Sequence, residues 1–99
     1  MIFDSWNADG YTLRPEDKEL IEAKLEKLTK FNSRVADESV KVHTEVVRGT
    51  RHNSPNFGIR VTLTIPGDSL RAEASGKTIA DAIDEAERKL KAQIEKLKD

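Results

Sequence analysis

The stretch FGIRVTLTIPGDSLRAEA, residues 57–74, decides the fold. Phe57, Ile59, Val61, Leu63 and Ile65 alternate with Gly58, Arg60, Thr62 and Thr64. After Pro66-Gly67-Asp68 the alternation resumes, with Leu70, Ala72 and Ala74 set against Arg71, Glu73 and Ser75. A period of two puts all apolar side chains on one face, so these are two half-buried strands joined by a tight hairpin turn. Upstream, Val40, Val42 and Val46 alternate with Lys41, His43 and Glu45, which predicts a third strand, joined to the hairpin by the loop Gly49–Asn56.

The period changes on both sides of these strands. Downstream of Gly76-Lys77, Ile79, Ile83, Ala86, Leu90, Ile94 and Leu97 form an apolar stripe at helical spacing. Upstream, Pro15 suits a first helical position and Glu16 and Asp17 complement a helix N-terminus. Leu20, Ile21, Leu25, Leu28 and Phe31 then recur as one face, so a helix is expected over Pro15–Phe31. Residues 1–13 read as an imperfect first strand, with Ile2, Phe3 and Trp6, a turn at Ala8-Asp9-Gly10, and Asp4 badly placed. Trp6 and Tyr11 are expected to pack on or cap that strand's edge. The order is β-α-β-β-β-α, which predicts an α+β domain of two layers: a four-stranded sheet with both helices on its one apolar face.

The 99 residues fit one domain, 1–99, and no repeat or linker divides them. With 36% hydrophobic and 35% charged residues, the core is modest and the surface heavily ionised. The absence of cysteine excludes a disulfide framework and thiolate metal sites. No apolar run approaches the about 18 residues of a membrane span, and the start MIFDSWNADG lacks the pattern of a signal peptide. A cytoplasmic protein is expected.

Charge is where function has to be sought. The net charge is −1, which by itself argues against a dedicated nucleic-acid binder. The distribution is uneven, however. On the first helix Glu19, Glu22 and Glu26 form an acidic back, while Lys24, Lys27 and Lys30 line one flank of the apolar stripe. Lys24 lies close enough to that stripe for its stem to rest on core side chains. On the last helix Lys89, Gln93 and Lys96 line one flank, whereas Asp84, Glu87, Arg88, Lys91, Glu95 and Lys98 occupy the other side and the back. If the two basic flanks face each other across the helix–helix groove, they make one basic stripe. Each flank alone equally suits an ordinary solvated helix with Glu–Lys pairs such as Glu26–Lys30. Arg48, Arg51 and His52 add a third basic element around the loop.

Other chemistries find no support. His43 and His52 have no carboxylates at ligand spacing, so no metal is expected. No nucleophile elbow or phosphate-cradling loop is present, and an acylphosphatase-like enzyme would need a further strand after the last helix. The outer sheet face lacks the paired aromatics that an RNA-recognition-motif sheet uses for stacking. No catalytic residue and no cofactor is expected.

Three pieces in order carry a family likeness: AKLEKLTKF (Ala23–Phe31), VTLTIPGDSLRAEASGK (Val61–Lys77), and the pattern of Ala82, Ile83, Asp84, Lys89, Leu90, Gln93 and Lys96. Together they resemble the ribosome hibernation-promoting factors, also called ribosome-associated translation inhibitors. The resemblance implies a fold related to the double-stranded-RNA-binding domain. It implies binding to the small ribosomal subunit in the channel of mRNA and of the A- and P-site tRNAs, which blocks translation in stress or stationary phase by occlusion. Carried over by position, Lys24, Lys27, Lys30, Lys89, Gln93 and Lys96 would contact rRNA. Arg48 and Arg51 are added from the loop. The chain departs from the family pattern at Ala92 and Glu95, where basic residues are common, and at Asp9, in a region where Gly-Arg is typical. Each departure removes or moves a phosphate partner, which predicts weaker binding. The length resembles the short form without a C-terminal dimerisation domain, for which pairing of ribosomes would need a helper factor. The competing reading, motivated by those departures and by the net charge, is a protein-interaction or regulatory module that kept the fold and lost strong rRNA binding.

Overall fold

The period of two becomes the inner face of a four-stranded sheet. In the computed structural model, which describes residues 1–49 and 56–97, the elements run β1 (Ile2–Asp9), α1 (Pro15–Glu26), a 3-10 helix (Lys27–Phe31), α2 (Ser33–Ala36), β2 (Lys41–Gly49), β3 (Asn56–Ile65), β4 (Asp68–Gly76) and α3 (Ile79–Glu95). The strands lie in the order β1-β2-β3-β4. β1 pairs parallel with β2, and the two later pairings are antiparallel. This is the predicted α+β architecture of two layers.

Val42, Val46, Ile59, Val61, Leu63, Ile65, Leu70, Ala72 and Ala74 are buried under the helices. Thr44 takes the inner position between Val42 and Val46 and is 1% exposed, its hydroxyl without a hydrogen-bond partner among the described residues. From the helices, Ile21 and Leu25 of α1, Leu28 of the 3-10 helix, and Ile83, Leu90 and Ile94 of α3 close the core. Each such side chain stabilises the fold by about 1.5–3 kcal/mol relative to exposure.

Asp4 explains the irregular first strand. The register shifts between Phe3, opposite Val42, and Ser5, opposite His43, so Asp4 is the extra residue of a β-bulge. Without the bulge, Phe3 and Trp6 would point to opposite faces. With it they share the helix side and stack at 5.8 Å. Lys18 of α1 lies over the Trp6 ring at 5.7 Å, which seats α1 beside β1.

The first helical segment differs from its expected span. The α-helix ends at Glu26 and winds on as a 3-10 helix through Phe31. The Thr29 hydroxyl donates to the Glu26 carbonyl at 2.7 Å, a local alternative to the α-helical backbone bond. Asn32 then caps α2, accepting from the Arg34 N–H at 2.8 Å, and Arg34 donates to the Pro66 carbonyl at 2.8 Å. α2 thereby joins the β3–β4 turn, where Gly67 holds φ +79°.

α3 starts on a Thr78 cap, whose hydroxyl oxygen accepts from the Asp81 N–H at 3.1 Å. Gly76, just before it, has no room for a side chain: a Cβ there would lie 2.6 Å from Asp81 Cβ and 2.8 Å from Ala82 N. The glycine of the AEASGK segment therefore lets β4 pass close under the first turn of α3.

Candidate nucleic-acid interface

α1 and α3 lie side by side and run the same way. Lys24 meets Asp84, and further along both chains Phe31 meets Lys91. The flank of α3 that faces α1 is thus the one bearing Asp84, Glu87 and Lys91. Lys89 and Gln93 lie on the opposite flank, over β4. The two basic flanks of the sequence do not face each other; α3 stands between them.

The first groove holds Lys24, Lys27, Lys30 and Lys91. The Lys24 ammonium sits 2.6 Å from Asp84 Oδ1, and its side chain is 27% exposed. Hydrogen bonding to Asp84 raises the Lys24 pKa, and the same bond lowers that of Asp84. Lys24 thus ties the two helices together. Beyond it, Lys27, Leu28, Lys30, Phe31, Glu87 and Lys91 line a cavity of about 130 Å³. Lys27, Lys30 and Lys91 are exposed, so this mouth presents three ammonium groups against one carboxylate. The sequence grouped Lys91 with the mixed residues of the other side and back of its helix. Its spacing from Asp84 and Glu87 was the available signal, but only the packing shows that this face meets α1.

The second flank is engaged with backbone. The Lys89 ammonium donates to the Glu73 carbonyl at 2.7 Å, and Gln93 Nε2 donates to the Arg71 carbonyl at 2.7 Å. β4 is the last strand of the sheet, so these carbonyls have no strand partner. Lys89 and Gln93 cover an open sheet edge, and Lys89 also lies 3.7 Å from Glu85. Lys96, at the C-cap of α3, is exposed.

On the outer sheet face Arg60 is held between two carboxylates. Arg60 bridges Glu45 at 3.3 Å and Glu73 at 2.9 Å across three strands, and His43 Nε2 lies 3.9 Å from Asp4. Arg48 is at the far end of the sheet from Phe31, stacked over Phe57 at 5.7 Å. Arg51 and His52 lie outside the described residues. No group of three or more potential metal-ligating side chains occurs among the described residues.

Near Arg48, Asp17 organises the start of α1. It is 5% exposed and accepts from Tyr11 Oη at 2.7 Å, the Arg14 backbone N–H at 3.0 Å and the Arg14 guanidinium at 3.2 Å. Burial pushes its carboxyl up, but the hydrogen bonds from Arg14 and Tyr11 outweigh burial, and the net pKa is lowered. Tyr11 also meets Phe57 edge-on at 5.1 Å, so it joins the β1 exit to β3 as well as to α1.

Comparison with known proteins bears on this arrangement. The family model described as sigma 54 modulation protein / S30EA ribosomal protein matches residues 7–99. The chain is 33% identical over 81 residues to a ribosome hibernation promotion factor of Deinococcus radiodurans, over 82% of this chain and 41% of that protein. The chain thus spans about two fifths of the length of that relative. Among solved structures, the N-terminal domain of Protein Y from Thermus thermophilus superposes with a TM-score of 0.75 at 17% identity, over 99% of this chain and 100% of that one. A ribosomal subunit interface protein from Coxiella burnetii superposes with a TM-score of 0.76 at 18% identity, over 93% and 92% of the two chains. At these identities the likeness is one of fold.

Proposed function

The chain belongs to the sigma 54 modulation protein / S30EA ribosomal protein family, and on that premise we propose that it is a ribosome hibernation factor. In this reading it binds the small ribosomal subunit in the mRNA and tRNA channel and inhibits translation by steric occlusion under stress or in stationary phase. No bond is made or broken, and no cofactor is needed. The activity takes place in the cytoplasm, where ribosomes are, and no helix among the described residues is long and apolar enough to cross a membrane.

The observation that carries the proposal is the mouth of the α1–α3 groove. Lys27, Lys30 and Lys91 stand there together around the single carboxylate of Glu87, while Glu19, Glu22 and Glu26 fall on the other face of α1 by their spacing, and on the outer sheet face Arg60 is ion-paired to Glu45 and Glu73. A net charge of −1 is compatible with polyanion binding when the charges are segregated in this way. Lysine suits the role, since phosphate oxygens accept point charges without demanding a fixed geometry.

Lys96 and Arg48 extend the footprint as exposed cations at opposite ends of the domain. Lys89 and Gln93 can reach a phosphate only by giving up the β4 carbonyls, so they contribute less than their positions in the family pattern suggest.

The test is co-sedimentation with isolated small subunits and whole ribosomes at low and physiological salt, with initiator-tRNA binding measured alongside. About four phosphate contacts predict a roughly hundred-fold loss of affinity between 50 and 200 mM salt. Absence of co-sedimentation at low salt would overturn the proposal and favour a protein ligand.

A further inference from the structure

Phe31 is the only exposed aromatic among the described residues, at 38%. The other four aromatic side chains pair off, Phe3 with Trp6 and Tyr11 with Phe57. Phe31 has two ammonium groups instead: Lys30 at 5.3 Å and Lys91 at 4.8 Å from the ring centre. Its position follows from the change of helix type. In a 3-10 helix residues three apart eclipse one another, so Lys27 and Lys30 fall in one row and Phe31 falls over buried Leu28. The ring stands at the groove mouth, 38% exposed with the two ammonium groups over it, and a base that stacks there takes the place of one of them.

We propose that Phe31 is a stacking platform for one unpaired base of single-stranded RNA, with the neighbouring phosphates on Lys27, Lys30 and Lys91. The chemistry selects this ligand in three ways. An aromatic face flanked by cations is the pairing that single-strand binders use, the ring taking the base and the cations its backbone. Glu87 Oε2 in the cavity wall is buried without a hydrogen-bond partner among the described residues, an acceptor that suits the N–H edge of a base and not a phosphate, so the phosphates ride on the lysines and the base takes the pocket. At about 130 Å³ the cavity is also smaller than the roughly 300–1,000 Å³ of sites that hold free small molecules. A base delivered by a polymer already bound by its backbone needs no deeper pocket. An apolar peptide would have to desolvate three ammonium groups.

The inference rests on the proposed ribosome binding, and the experiment separates the two. Affinity for isolated small subunits is measured against salt for the wild type, Phe31→Leu, Phe31→Trp and Lys91→Gln, alongside chemical probing of rRNA base edges at saturating protein. Phe31→Leu keeps an apolar cap over Leu28 but removes the π face. Expected are an about 5- to 100-fold loss of affinity with an unchanged salt slope, recovery in Phe31→Trp, and loss of protection at one rRNA base. Lys91→Gln, on an exposed side chain that leaves the fold intact, is expected to lower the salt slope by about one unit. Wild-type binding with undiminished Phe31→Leu affinity and an unchanged probing pattern would overturn the stacking site and leave the ribosome reading standing. Failure of the wild type to bind would overturn both.

Discussion

The two flanks of α3 carry similar side chains and do different work. Toward α1, Lys91 joins Lys27 and Lys30 around an open cavity, and all three residues are exposed. Toward β4, Lys89 and Gln93 donate to the carbonyls of Glu73 and Arg71. The difference lies in what each flank faces. A helix beside another helix meets a surface whose backbone is already satisfied, so its lysines find only side chains there: Lys24 is taken by Asp84, while Lys27, Lys30 and Lys91 remain exposed. A helix over an edge strand meets unpaired carbonyls, and its donors are drawn to them. A basic residue in a family pattern therefore does not by itself identify a phosphate contact.

The contrast can be broken most sharply by charge reversal in the groove. Lys27→Glu combined with Lys30→Glu is expected to reduce ribosome affinity by a hundred-fold or more with little change in melting temperature, as read by co-sedimentation and thermal denaturation. Equal binding by the double variant would mean that the groove is not the interface. Next in size is the placement of α3 itself. Gly76→Ala sets a Cβ against the first turn of α3 and is expected to destabilise by about 1–3 kcal/mol in urea unfolding. It acts on both flanks at once, so binding and edge protection should weaken together.

The β4 flank is tested by Lys89→Ala combined with Gln93→Ala. Ribosome affinity is expected to fall only a few-fold, while sedimentation velocity should reveal concentration-dependent association through the uncovered edge. A loss as large as that of the groove variant would abolish the distinction between the flanks.

The smallest effect is that of acid. Asp17 has a folded pKa below its unfolded value. The stability it contributes is therefore present above the unfolded aspartate range, about 3.9, and is lost as pH falls through the lower folded pKa. Asp84 behaves in the same way through Lys24. Melting temperature should be level near neutrality and decline below about pH 4, and Asp17→Asn should flatten part of that decline.

Much of the fold was legible because its signals are local. The alternation through Phe57–Ala74 assigned the inner and outer faces of β3 and β4, and the Ile79–Ile94 stripe assigned the buried face of α3. Two features escaped for reasons that are not local. Asp4 looked wrong for a strand until the pairing with β2 made it a bulge. The segment Lys27–Phe31 has helical spacing, which does not distinguish 3-10 from α winding over so short a run. The candidate site was half legible: Lys27 and Lys30 were found as a flank, while Phe31 was counted with the core and Lys91 with the mixed other side and back of its helix.

The sequence by itself determined the order of the four strands and of the two long helices, the core faces of β2, β3, β4 and α3, and the separation of acidic from basic flanks on α1. Periodicity alone fixes these, since a side chain's direction relative to its own backbone repeats every 2 or 3.6 residues. Only the tertiary structure decided which flank of α3 meets α1 and which covers β4. The orientation of one element against another is set by packing of the whole core, and whether a lysine faces solvent or a carbonyl follows from that orientation.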